Sequence, residues 1–98
     1  ITTRVSMLLE DKLFLKLING KVYKEKAIRY KNNLRYLDLL IQQDNLWNII
    51  DYKSSTTYTS YHHKQVKYYM NAIKTITKEP TKGYICYMLK NGIQIVEV

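Results

Sequence analysis

Three side chains in the middle of the sequence could act together around a divalent cation. Asp38 and Asp51 are carboxylates set in otherwise apolar segments, YLDLL and NIIDYK, and Lys53 follows Asp51 by two residues. Two carboxylates brought together can hold a hard divalent cation, and a lysine beside them adds a point charge. Whether they meet depends on the chain between them. Residues 34–42 and 46–53 both read as strands, split by the polar residues Gln43, Asp44 and Asn45. If Asp44–Asn45 is a two-residue turn, Gln43 pairs with Leu46, and counting outward places Asp38 directly opposite Asp51. A four-residue loop gives the same register and a three-residue loop does not.

Opposed residues of an antiparallel pair share a face, with Cβ atoms about 4.5–5.5 Å apart. Tyr36, Asp38 and Leu40 would then share a face with Ile49, Asp51 and Lys53. Like charges so placed destabilise an apolar strand pair unless something positive lies between them. Mg²⁺ suits the role, since it is usually held by one or two carboxylates together with waters and phosphate oxygens. The plainer alternative makes Asp38 an edge charge facing water and Asp51–Tyr52–Lys53 the polar end of a strand.

The elements that must position these residues follow from the apolar pattern. Val5, Leu8, Leu9, Leu13 and Leu17 predict a helix over 3–18 that ends at Asn19–Gly20, with a strand through LFLKLI as the alternative. Residues 21–30 read as a strand. Residues 60–78 predict a helix capped by Thr59 or Ser60. Gln65, Val66, Tyr69, Met70, Ile73 and Ile76 fall on one arc of it, with Lys64, Lys67, Lys74 and Lys78 opposite. His62 and His63 read as solvated residues of its first turn. Pro80 blocks its continuation. Residues 83–89 form an apolar strand, Asn91–Gly92 a hairpin turn, and residues 93–98 the partner strand. The order is α–β–β–β–α–β–β, a mixed α/β domain.

Length and charge bound the partners. The 98 residues suit one small domain, and 16 Lys and Arg against 8 Asp and Glu give a net charge of +8. Such a balance favours a polyanionic partner, nucleic acid before an acidic membrane surface. No apolar run is long enough to span a bilayer and no signal-peptide pattern opens the chain, so a soluble, cytoplasmic protein is expected. Ile1 in place of Met suggests part of a longer chain. The single cysteine, Cys86, excludes an internal disulfide and any four-cysteine zinc or iron–sulfur site, and it reads as a small buried core residue.

Taken in order, Asp38, the triplet Asp51-Tyr52-Lys53 and the Gln65-x-x-x-Tyr69 pair in QVKYY resemble the nuclease motifs of the RecB/AddA family, within the PD-(D/E)XK superfamily. The likeness covers roughly residues 10–90, with VYKEKAI before the motifs and GYICYML after them. It implies a restriction-endonuclease-like core in which Asp38, Asp51 and the Tyr52 backbone carbonyl hold Mg²⁺ or Mn²⁺. Lys53 would position the attacking water, Gln65 and Tyr69 would support the site or touch DNA, and Glu25 could assist the metal. It also implies phosphodiester hydrolysis on DNA, single-stranded and fed by a helicase domain of the same chain, with a partner subunit, in end processing and recombinational repair.

The sequence departs from the family at a metal-binding histidine, which has no counterpart before Asp38. It departs also at Arg35, where a small residue is common, and at Ser54, where threonine is common. The missing histidine suggests that residues 1–98 form one nuclease-core domain whose N-terminal part lies outside this chain. The lack of a cysteine set argues against the iron–sulfur-bearing branches. Tyr58 and Tyr61 are candidate stacking positions for a strand. Two non-enzymatic readings stand beside this one: a nucleic-acid-binding module that keeps the fold, and a partner-docking domain.

Overall fold

A computed structural model describes residues 12–57, 59–90 and 92–98. Its elements are α1 (Lys12–Leu17), β1 (Lys21–Tyr30), β2 (Asn33–Gln43), β3 (Leu46–Lys53), α2 (Thr59–Thr77), β4 (Thr81–Leu89) and β5 (Gly92–Glu97). The mixed α/β order expected from the sequence is present. LFLKLI belongs to the helix and not to a strand; the expected helical residues before Lys12 lie outside the described residues. The five strands lie in chain order in one sheet. The pairs β1–β2, β2–β3 and β4–β5 are antiparallel, and β3–β4 is parallel because α2 crosses over between them.

The two faces of the sheet are covered by different helices. On one, Phe14 and Leu17 of α1 pack on Leu39, Ile41, Ile50, Tyr84 and Cys86. On the other, Tyr69, Ala72 and Ile73 of α2 pack on Ile28, Leu37, Leu40 and Ile49, and Val66 packs on Ile85 and Tyr87. Strand β4, covered on both faces, is accordingly buried from Gly83 to Tyr87. Gly83 lets α2 approach: a Cβ there would come within 2.5 Å of Val66 and 2.6 Å of the Met70 sulfur.

Helix α2 stops at Thr77, and Lys78 takes a left-handed φ of 62° with its N–H on the Lys74 carbonyl, a C-terminal cap ahead of Pro80. It starts at Thr59, whose hydroxyl donates to the Thr56 carbonyl. Ile76, expected on the buried arc, is 52% exposed and lines a hollow with Tyr23, Ile28, Leu40, Trp47 and Ile73. Gly92 lies within β5, paired with Leu89, so the last hairpin turns one residue earlier than expected.

Two strands reverse their faces together. Tyr23 and Ile28 pack into the same cluster beneath α2, as do Leu37 and Leu40, although each pair is an odd number of residues apart. In a regular strand an odd spacing puts side chains on opposite faces. Both reversals fall between these positions. The rung that would join Glu25 to Asp38 is missing from an otherwise continuous β1–β2 ladder, and Glu25 has φ 48°. Irregularities of this kind re-aim a side chain and recur beside functional sites.

Candidate active site

The β2–β3 hairpin has the register that the two-residue turn demands: Gln43 pairs with Leu46, and the ladder runs out to Leu39–Ile50. Asp44 takes the positive φ, 53°, expected in such a turn. Asp38 and Asp51 are the next residues outward. They do not form a backbone rung. Asp38 instead turns its carboxylate across the gap and accepts the Tyr52 backbone N–H at 2.8 Å, replacing a ladder bond with a side-chain one. Tyr36 does not join them. The reversal at Asp38 gives Leu37 the α2 side and leaves Tyr36 62% exposed on the other, so the expected face of Tyr36, Asp38 and Leu40 holds only from Asp38 inward.

Asp51 is buried, at 5% exposure, with the Lys53 ammonium 3.1 Å from Oδ2. Among the described residues Oδ2 accepts no hydrogen bond in addition to this ion pair. Burial pushes the Asp51 carboxyl up to about 6; Lys53 opposes the shift and the neighbouring Asp38 adds to it. The Asp38 carboxylate thus lies close enough to act on Asp51, with the Lys53 cation beside them. Burial likewise pushes the Tyr52 hydroxyl up to about 12.

Gln65 and Tyr69 meet as their spacing requires, with Gln65 Nε2 donating to the Tyr69 hydroxyl at 3.0 Å. Tyr69 is buried, and burial raises its pKa, with the Asp51 and Asp38 charges adding to the shift. Glu25 is exposed. It lines a hollow of about 460 Å³ with Lys24, Asp38, Leu39 and Tyr52, next to Asp38 but at the rim.

His62 corrects the sequence reading. It is buried, not solvated, and its Nδ1 lies 3.1 Å from the Tyr87 hydroxyl. Tyr87 is the parallel-ladder partner of Lys53. Burial lowers the His62 pKa, and the nearby Lys53 charge lowers it further. The signal was available: His62, Val66, Tyr69 and Ile73 fall on one helical stripe, all buried. His63 is half-buried. Tyr58 lies outside the described residues, and Tyr61 is 64% exposed.

Among the described residues no three metal-binding side chains cluster. Asp38 and Asp51 still suit a hard cation: both are oxygen donors, and the buried Asp51 Oδ2 lacks a hydrogen-bond partner.

No family model matches the chain, and no curated protein matches it by sequence. Solved structures do share its fold. A candidate exonuclease from Eubacterium rectale superposes with a TM-score of 0.70 at 16% identity, over 99% of this chain and 43% of that one. The protein SSO0001 superposes with a TM-score of 0.51 at 18% identity, over 99% of this chain and 52% of that one. The chain therefore spans about half the length of the structures it resembles. Its fold is a small α/β core shared with those structures, with a five-stranded mixed sheet between flanking helices. Among the described residues no helix is long and apolar enough to cross a membrane.

Proposed function

We propose that this domain is a metal-dependent DNA nuclease that hydrolyses phosphodiester bonds at Asp38, Asp51 and Lys53. The observation that carries this reading is the buried Asp51 carboxylate, turned toward Asp38, with Lys53 3.1 Å away. A fold that needs only stability does not gain from a buried carboxylate held beside another one. A metal site does, because a cation removes the repulsion between the two carboxylates.

Asp38, Asp51 and the Tyr52 carbonyl would hold Mg²⁺ or Mn²⁺. When bound, the cation would make its water a nucleophile near neutral pH and stabilise the departing oxygen. The remaining work falls to the chain. The Tyr52 N–H fixes the Asp38 carboxylate, and Lys53, anchored on Asp51, orients the attacking water and offsets charge developing on the phosphate. Partial burial keeps these charges from being screened. Tyr69 and Gln65 form the wall on the α2 side.

The order of the Asp, Asp-Tyr-Lys and Gln-x-x-x-Tyr motifs supports a RecB/AddA-type parent, in which a helicase domain and a partner subunit deliver single-stranded DNA during end processing in the cytoplasm. The shared fold with a candidate exonuclease favours exonuclease over endonuclease action.

The test is degradation of end-labelled single-stranded DNA in Mg²⁺, in Mn²⁺ and in chelator. Cleavage in either metal, absent in chelator and lost in Asp51→Asn, is the expected result. No cleavage, together with no calorimetric binding of Mn²⁺, sinks the reading. Salt-sensitive DNA binding indifferent to metal and to Asp51→Asn would leave a binding module in its place.

A further inference from the structure

A second pocket opens beside the carboxylates, with Tyr69 as the shared wall. Arg35, Tyr61, Lys64, Gln65, Tyr68 and Tyr69 line its roughly 230 Å³. No acid is among them, so the pocket carries two cations and no counter-charge. Tyr61 offers an exposed ring at the mouth. Gln65 Oε1 is buried and accepts no hydrogen bond from the described residues, while the amide nitrogen donates to the Tyr69 hydroxyl. An unpaired buried acceptor costs free energy, and only an entering N–H or O–H donor relieves it.

These features describe a ligand with three parts: a flat face, a donor at its edge and an anion at its side. The volume falls below the roughly 300–1,000 Å³ of sites that enclose a whole drug-sized ligand, which suits one unit of a polymer. An acidic peptide would answer the cations but would leave the ring and the buried acceptor unused. A base within a duplex keeps its faces stacked and its edge paired, so the unit must come from a single strand.

We propose that this pocket is a nucleotide subsite for single-stranded nucleic acid, in which a base lies on Tyr61 and donates an N–H to Gln65 Oε1 while its phosphate lies against Arg35 and Lys64. The assignment rests on the nuclease reading only for its direction: a strand seated here runs past Tyr69 toward Asp51. Lys64 and Arg35 supply sequence-independent attraction, the Tyr61 ring tolerates any base, and Gln65 favours bases with an amino group at the edge. Tyr68 is fixed from behind, donating its hydroxyl to the Tyr30 carbonyl, so the pocket's inner wall stands ready before a strand arrives.

Fluorescence anisotropy in chelator tests this without cleavage. The probes are a labelled octamer of deoxyadenosine and an octamer of the same length built of abasic tetrahydrofuran units, which keeps the phosphates and lacks the bases. The deoxyadenosine octamer should bind more tightly. Tyr61→Ala should weaken it about 5- to 20-fold and leave the abasic octamer unchanged, and Tyr61→Phe should restore binding. Lys64→Ala should lower the logarithmic salt slope by about 0.7 for both. Equal binding of the two octamers, no binding of either, or no response to Tyr61→Ala overturns the subsite. Competition by polyglutamate that depends on Lys64 but not on Tyr61, without any preference for the octamer with bases, overturns it in favour of an acidic protein partner. The expected binding pattern without metal-dependent cleavage keeps the subsite and removes the nuclease reading; cleavage without the pattern does the reverse.

Discussion

The Asp38 carboxylate accepts the Tyr52 backbone N–H at 2.8 Å, just beyond the last rung joining β2 to β3. One oxygen of Asp38 thereby closes the strand pair, and the rest of the group remains available to a ligand. The two duties separate on substitution. Asp38→Asn keeps an oxygen acceptor for Tyr52, so its unfolding free energy should stay within about 1 kcal/mol of the parent while metal-dependent cleavage falls by at least about 100-fold. Asp38→Ala leaves the half-buried N–H without a partner and should lose a further 1–2 kcal/mol or so. Denaturant titration of both variants beside the cleavage assay checks the split. Equal activity in Asp38→Asn would remove Asp38 from the site.

The Asp51 carboxyl ties stability to pH in an unusual direction. Its pKa rises from 3.8 to about 6 on folding. Between those values the folded chain holds a proton that the unfolded chain has released, so this group favours folding below about pH 4 and loses that contribution as pH rises through about 6. The loss amounts to roughly 3 kcal/mol at most. Relative to Asp51→Asn, the parent should become less stable from pH 4 to pH 7, and Mn²⁺ should restore the difference at pH 7. Lys53→Met removes the charge that holds the pKa down, so the same decline should move to higher pH. Melting temperatures of the three proteins across pH, with and without Mn²⁺, decide it. A flat difference between the parent and Asp51→Asn would show that Asp51 ionises as it does in water.

Packing of α2 on β4 depends on Gly83. Gly83→Ala would drive a methyl group into Val66 and Met70, at 2.5 and 2.6 Å. Met70 can yield but Val66, itself fully buried, cannot. The variant should unfold about 1–3 kcal/mol more easily, with less effect on metal binding than on stability. Urea titration with parallel Mn²⁺ calorimetry tests both halves.

The order of elements and the register of the β2–β3 hairpin were legible in the sequence because each rests on local rules: apolar period, turn chemistry and helix stops. The same holds for the Asp51–Lys53 and Gln65–Tyr69 contacts, which follow from strand and helix spacing alone. What escaped was set by tertiary geometry. Glu25 gives no local sign that it will adopt φ 48°, so regular alternation put Tyr36 beside Asp38 when the chain turns it away. His62 sits on a stripe that spacing does mark as buried, but its polar type alone points to water, and its partner, Tyr87, lies 25 residues away in the sequence. Arg35 was visible only as a departure from a family pattern. Its place at the mouth of the Tyr61 pocket depends on α2 lying over the end of β2.

The paired reversal at Glu25 and Asp38 also limits how this hairpin can change length. Beyond it, Lys26 to Tyr30 and Asn33 to Leu37 keep an unbroken register toward the turn at Lys31–Asn32. Deleting one residue from only one of these arms would slip that register and send Ile28 or Leu37 out toward water. Lengthening or shortening can therefore be absorbed only in matched pairs, one residue from each arm.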